Sequence, residues 1–166
     1  MALKLPAGVL EFGPAAARVI PTDHDKAYAA GFFDGEGNIA ICANKNGGAR
    51  GTYLVYNMRI GACQNDPEPL FWLRDRWGGT VRRIKRSSPH RAHEWQAFSR
   101  GALIFLHDVM PYLIVKTARA TLAIEYQSRI EQRGRGGRTP EYVAWAASVK
   151  SRMNLLNAHP KNVHIS

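Results

Sequence analysis

Ala29-Ala30-Gly31-Phe32-Phe33-Asp34-Gly35-Glu36-Gly37 is the stretch on which the reading of this chain turns. It runs small, small, Gly, apolar, apolar, acid, Gly, acid, Gly. Thr22 and Asp23, just upstream, are good N-cap residues, so the spacing predicts a helix over 22–35, stopped by Gly35 and Gly37. On that helix Ala27, Gly31 and Gly35 recur at four-residue steps, with Ala30 beside them. A face of small residues lets two helix axes approach closely. Phe32 and Phe33 point elsewhere, into the chain's own core. Asp34 and Glu36 fall at the C-terminal end of the helix, where the macrodipole is negative and disfavours anions. A divalent cation held between two subunits would compensate them. A helix C-cap with exposed acids is the plainer reading.

Outward from this stretch the hydrophobic period changes to two. Ile39, Ile41 and Ala43 share one face of a strand over 38–44, and 45–51 is a turn rich in Asn and Gly. Over 53–62, Leu54, Tyr56, Met58, Ile60 and Ala62 alternate with Tyr53, Val55, Asn57, Arg59 and Gly61. A short helix over 66–77 places Leu70, Leu73 and Trp77 on one side and ends at Gly78-Gly79. Strands over 80–86 and 91–98 follow, joined by Ser87-Ser88-Pro89. Arg83 and Lys85 share the parity of Val81, which a bulge or an exposed strand end would explain. Ser99 is placed to cap a helix carrying Leu103, Leu106 and Met110 inward to about Pro111. Another helix over 116–131 sets Leu122, Tyr126 and Ile130 four apart. After a Gly/Arg linker over 133–138, Thr139-Pro140 opens a last helix with the stripe Tyr142, Trp145, Ala146, Val149, Met153 and Leu156.

The predicted fold class is therefore α+β. An αββαββα core with a four-stranded antiparallel, saddle-like sheet is covered by helices on one face, and a C-terminal helix follows. At 166 residues the chain reads as a single domain (1–166), with an N-terminal arm over 1–21, a core over 22–131 and the last helix over 139–158. The polar alternates of the strands would form a basic, exposed concave face.

Lys and Arg number 23 against 13 Asp and Glu, a net charge of +10, which points to a polyanionic partner, nucleic acid first. A merely basic, soluble protein is the plainer reading. Cys42 and Cys63 have no paired spacing and no CxxC occurs, so neither a disulfide framework nor a structural zinc site is expected, and an intracellular, reducing compartment fits. The longest apolar region, 102–115, is broken by His107, Asp108 and Pro111, and the N-terminus lacks a signal-peptide pattern. No membrane partner and no small-molecule substrate are expected. Three further patterns carry no chemistry. The glycines of 35–40 follow a helix and precede a strand, the reverse of a dinucleotide site. An EF-hand reading from Asp34 would need Gly at Ile39 and Glu at Lys45. His90 and His93 have no cysteine near them.

The opening stretch resembles the signature of the LAGLIDADG homing endonucleases. Ala30, Gly31, Asp34 and Gly37 match it, Glu36 stands for the second acid, and Ala29 departs from the leading Leu. The αββαββα order over 22–131 is also that family's. The segment Pro111-Tyr112-Leu113-Ile114-Val115-Lys116-Thr117-Ala118-Arg119-Ala120 looks like its second conserved region, where a Lys follows a Pro-aromatic-Leu turn. The motif occurs once, and members with one motif act as homodimers in which two motif helices meet. The resemblance thus implies hydrolysis of both strands of a long duplex DNA site across the minor groove.

By the same resemblance Glu36 of each subunit binds Mg²⁺, helped by the Gly35 carbonyl, with Mn²⁺ and Ca²⁺ as other ions for the site. Two Glu36 carboxylates brought together would raise each other's pKa unless a cation intervened. Lys116 would stabilise transition-state charge or activate water, although a solvated helix-start lysine is the plainer reading. Gln64 would position water. Glu68 stands where relatives carry a second basic residue, so a second cation would come from elsewhere. Asp34 is expected to be structural, capping the partner helix in an interface with Ala27, Ala30, Gly31 and Gly35. Base reading in the major groove falls to Asn38, Asn44, Asn46, Asn57, Arg59, Arg82, Arg86, Glu94 and Gln96. Phosphate contact falls to Arg50, Lys85, Arg91 and the Arg133–Arg138 run. Two other readings stay open: a non-cleaving DNA-binding regulator or RNA-splicing maturase on the same scaffold, and an unrelated basic RNA-binding domain. Retention of Glu36 and Lys116 favours the endonuclease.

Overall fold

The computed structural model describes residues 19–49, 51–84, 92–133 and 138–158. The arm expected at the N-terminus, up to residue 18, lies outside them, as do Arg50, Lys85, Arg86, the Ser87–Pro89 turn, His90, Arg91 and the middle of the Gly/Arg linker. In chain order the elements are α1 (Asp23–Glu36), β1 (Gly37–Gly48), β2 (Gly51–Gln64), α2 (Glu68–Trp77), β3 (Thr80–Ile84), β4 (Ala92–Phe98), α3 (Ser99–Val109), a 3₁₀ turn (Met110–Tyr112), α4 (Thr117–Arg133) and α5 (Pro140–Asn157).

The four strands form one antiparallel sheet in the order β1-β2-β4-β3. The predicted alternation sets its two faces. Ile39 and Ile41, Tyr56, Met58, Ile60 and Ala62, Trp95 and Ala97, and Val81 are buried under the helices. The β1–β2 ribbon is longer than the apolar pattern suggests. Pairing continues through Lys45–Leu54 and Asn46–Tyr53 to Gly48–Gly51, because cross-strand hydrogen bonds do not require apolar side chains. Only the Arg59–Gln64 end of β2 pairs with β4. The ribbon tip therefore projects beyond the four-stranded part.

Helix starts follow local chemistry. Thr22 and Asp25 form a capping box on α1, with reciprocal bonds of 3.2 and 2.9 Å. Thr139 caps α5 through Tyr142 N–H. Ser99 does not cap α3 as expected. It takes φ 46° as the first helical residue, behind Phe98, and makes no capping bond. The α5 stripe is buried at Ala146, Val149 and Met153, whereas Leu156 is more than one-third exposed. Arg83 lies at the exposed end of edge strand β3, so its apolar-face parity buries no charge. Phe33, Phe105, Trp95 and Trp77 meet edge-on or tilted in the middle of the core, with centroids 5.0–5.3 Å apart. Among the described residues no helix is long and apolar enough to cross a membrane.

Candidate active site and nucleic-acid interface

The first helix shows two contrasting sides. Ala29, Ala30 and Phe33 are buried in the core, while Ala27, Gly31 and Gly35 are exposed. Ala30, expected on the interface, is thus held inside its own chain. Among the described residues a Cβ built on Gly31 or Gly35 meets nothing within 4 Å. Among the described residues nothing in the packing requires glycine at either position, yet glycine weakens a helix interior relative to alanine. Gly37 is different, because a Cβ there would overlap the Phe33 ring and carbonyl. Without a Cβ, Gly37 lets the helix turn directly into β1 against Phe33.

Asp34 corrects an expectation. Its carboxylate does not stand free to cap a partner. Oδ2 accepts N–H bonds from Ile114 at 2.7 Å and Val115 at 3.2 Å, and Oδ1 accepts one from Lys116 at 3.0 Å. These amides belong to the loop that leads into α4, and they converge as orphan donors at a helix start do. Burial alone would raise the carboxyl, but the three N–H bonds and the Lys116 charge outweigh it and hold Asp34 below the usual carboxylate range.

Lys116 is buried, 6% exposed, and its Nζ donates to the backbone carbonyl of Asp34. Burial pushes the ammonium below its ordinary range, and the Arg119 charge adds to this. Asp34 and Glu36 pull the other way without cancelling it. Glu36, the last residue of α1, is exposed. Among the described residues its carboxylate makes no hydrogen bond or ion pair. Gly37 pairs with Ala62 in the sheet, so Glu36 and Gln64 stand at the same end of the β1–β2 ladder. Gln64 uses Oε1 to accept the Asn65 N–H at 2.9 Å, which leaves its amide N–H₂ for other partners. The fold thus brings Gly35, Glu36, Lys116 and Gln64 to one end of the sheet.

One exposed carboxylate and one helix-end carbonyl are hard oxygen donors of the kind Mg²⁺ and Ca²⁺ take. They supply too few ligands for a closed site, and among the described residues no group of three His, Cys, Asp or Glu is placed to hold a metal. On one chain the donor set therefore supplies only part of the oxygen shell such an ion takes.

The open face of the sheet carries the expected polar residues in three conditions. Asn38, Asn44 and Asn46 are exposed and Asn57 and Arg59 half-buried, all with the parity that faces away from the helices. Arg82 and Glu94 are not independent readers. They are cross-strand partners, and the Arg82 guanidinium donates twice to Glu94 Oε2, at 3.0 and 2.8 Å. Gln96 corrects a further expectation, since it is only 6% exposed because β4 is an interior strand. Its Nε2 has no partner among the described residues.

Three features of this surface escaped the sequence. Phe98 pairs with Arg59 and is half exposed on the open face, which the parity of Gln96 would have revealed. Arg138 stacks on the Tyr53 ring at 4.3 Å, bringing the end of the Gly/Arg linker to the ribbon. Behind it Arg133 lies over Tyr142 and Arg129 over Trp145, at 4.2 and 4.3 Å. Only contacts across α4, α5 and β2 reveal this ladder, and no local period signals it.

No protein-family model and no curated protein sequence matches the chain. Solved structures do. The homing endonuclease I-CvuI, in complex with a DNA target in the presence of Mg and with the DNA not cleaved, is 22% identical. The alignment covers 85% of this chain and 87% of that one with a TM-score of 0.64. The homing endonuclease I-TnaI is 20% identical over 82% of this chain and 90% of its own, with a TM-score of 0.60. The LAGLIDADG homing endonuclease I-SmaMI, bound to cleaved DNA, is 17% identical with a TM-score of 0.61; the match covers 81% of this chain but 45% of that one. With the element and strand order described above, these likenesses establish that the chain has the fold of the LAGLIDADG homing endonucleases.

Proposed function

We propose that this protein is a homodimeric, site-specific endonuclease that hydrolyses both strands of a long, roughly palindromic duplex DNA target with the help of a divalent metal ion. The observation that carries the reading is the juxtaposition at the end of α1. An exposed carboxylate with no hydrogen bond or ion pair among the described residues, Glu36, stands near a buried, conformationally held ammonium, Lys116, on a helix whose outer face is small. The same helix leads straight into the strand that begins the open, polar sheet face. The I-CvuI structures it resembles are complexes with DNA targets, with Mg or Ca present.

Each residue then has a chemical task. Glu36 and the Gly35 carbonyl from each of two subunits would hold Mg²⁺, with Mn²⁺ and Ca²⁺ as alternatives. A bound divalent ion supplies positive charge to the scissile phosphate and lowers the pKa of a water. Lys116 directs its ammonium at the charge that develops on the phosphate oxygens. Gln64 orients water through its amide N–H₂, its Oε1 being engaged by the Asn65 N–H. The exposed glycines at 31 and 35 allow the two helices to approach, and the match to less than half of I-SmaMI leaves room in that longer chain for a second such unit. Asn38, Asn44, Asn46, Asn57 and Arg59 read bases with the Arg82–Glu94 pair, and Arg138 contacts phosphate.

The decisive test is incubation of the purified protein with a randomised duplex library, with and without Mg²⁺, followed by sequencing of the ends. Cut ends at one recurrent sequence, appearing only with Mg²⁺, support the proposal. Sequence-selective binding without cutting under any divalent metal identifies a non-cleaving regulator or maturase instead.

A further inference from the structure

The loop that carries Lys116 is fastened in an unusual way. Leu113 is buried at one end and Lys116 at the other, but Ile114 and Val115 between them are 86% and 65% exposed. Packing therefore does little to fix the middle of the loop. Its three consecutive backbone N–H groups all end on the Asp34 carboxylate. The Lys116 side chain returns to the same residue, where Nζ donates to the Asp34 carbonyl. One residue of α1 thus holds the main chain and the side-chain tip of a lysine that lies 82 positions away. Asp34 is also two residues before Glu36 on the same helix end.

From this geometry we infer that Asp34 is a positioning residue for Lys116: its carboxylate fixes the α4 entry loop so that the ammonium is held in place beside Glu36. The inference rests on the proposed role of Lys116. It assigns Asp34 a task within its own subunit, separate from any contact across a dimer. Asp34→Asn keeps the size of the side chain but replaces one accepting oxygen by an N–H₂ donor that faces the loop amides. The loop then loses its anchor, and Lys116 loses its fixed place.

The test is a double-mutant cycle of D34N and K116M on a target recovered from the library. It measures the single-turnover cleavage rate in Mg²⁺, affinity for uncut target without divalent ions, and dimer dissociation. Displacement of a catalytic group by about 1 Å can reduce a rate about 10²-fold, and D34N should fall by that order with affinity and dimerisation unchanged. In the K116M background the further effect of D34N should shrink to about twofold or less, since residues acting through one another are not additive. Hydrogen exchange should show the Ile114–Lys116 amides losing protection in D34N. Should D34N not fold, Ile114→Pro removes one donor while leaving Asp34 intact, and the extended Leu113 (ψ 138°) accommodates a following proline. It should show the same dependence on Lys116. A D34N loss that persists in full in K116M, or that appears equally in affinity or dimerisation, overturns the inference alone. A wild type that cuts nothing, or a K116M variant as active as wild type, overturns the functional reading as well.

Discussion

Gly31→Ala separates the needs of the protomer from those of a pair. Gly31 lies inside α1, five residues before its end, and a Cβ there meets none of the described residues within 4 Å. Within one chain the substitution removes only the backbone freedom that glycine brings to the unfolded state. It should therefore stabilise the protomer by about 0.5–1 kcal/mol, a rise in Tm of roughly 1–4 °C for a chain of this size. If the face pairs two helices closely, symmetry places two added methyl groups in one contact. Overpacking of that kind costs about 1–3 kcal/mol, equivalent to a dissociation constant weakened about five- to 150-fold. The two effects have opposite signs, so they cannot be confused. Sedimentation equilibrium measures the dissociation constant, and urea unfolding at dilutions where wild type is monomeric measures the stability of the protomer. Gly31→Leu, with a longer side chain, should remove the dimer altogether. An unchanged dissociation constant in G31A would refute the interface, and a less stable monomer would refute the open-space argument.

Glu36→Gln should leave DNA affinity intact and eliminate Mg²⁺-dependent cleavage, since an amide oxygen is a weaker, uncharged ligand; a gel shift beside a single-turnover assay decides it, and surviving cleavage removes Glu36 as the metal ligand. Lys116→Met should cleave much more slowly than wild type while keeping a measurable single-turnover rate, but its thermal stability should equal or exceed that of wild type, because burial already disfavours the ammonium. The sign follows from linkage: the folded chain binds this proton less tightly than the unfolded one, so wild-type stability gains from Lys116 as pH rises from the folded pKa toward the unfolded value of 10.5, and K116M should lack that gain. Thermal melts across alkaline pH measure the difference, and a markedly destabilised K116M would contradict the argument. Arg138→Gln should make the salt dependence of binding to a random duplex shallower by about 0.9 in log–log slope, the amount for one lost phosphate contact; an unchanged slope places Arg138 off the DNA.

What the sequence displays well is whatever repeats locally. The alternation over 53–62 and the four-residue steps of Leu122 and Tyr126 reflect burial on one side of a single element, so the element and its inward face are visible together. Sheet order is already harder. The chain pairs β1 with β2 and β3 with β4, consecutive strands in each case, but the β2–β4 contact that joins the two pairs joins residues far apart in sequence. That contact makes β4 an interior strand and buries Gln96, a residue whose polarity alone suggested exposure. The Arg82–Glu94 pair is hidden for the same reason, since it depends on register across β3 and β4.

Asp34 marks the limit most clearly. Its position at a helix end and its charge show that something must compensate it, and both a metal and a partner helix satisfy that demand on paper. The actual partners are three amides of a loop in which Ile114 and Val115 read as ordinary apolar residues. Backbone donors are the same for every residue but proline, so no side-chain pattern announces them. The consequence separates the two acids of the motif on physical grounds. Asp34 has spent both oxygens on its own chain, whereas Glu36, two residues on, has an exposed carboxylate with no partner among the described residues. Only the second can accept a ligand from outside without first breaking bonds, and the exposed glycines on the same helix leave room for that ligand to be shared.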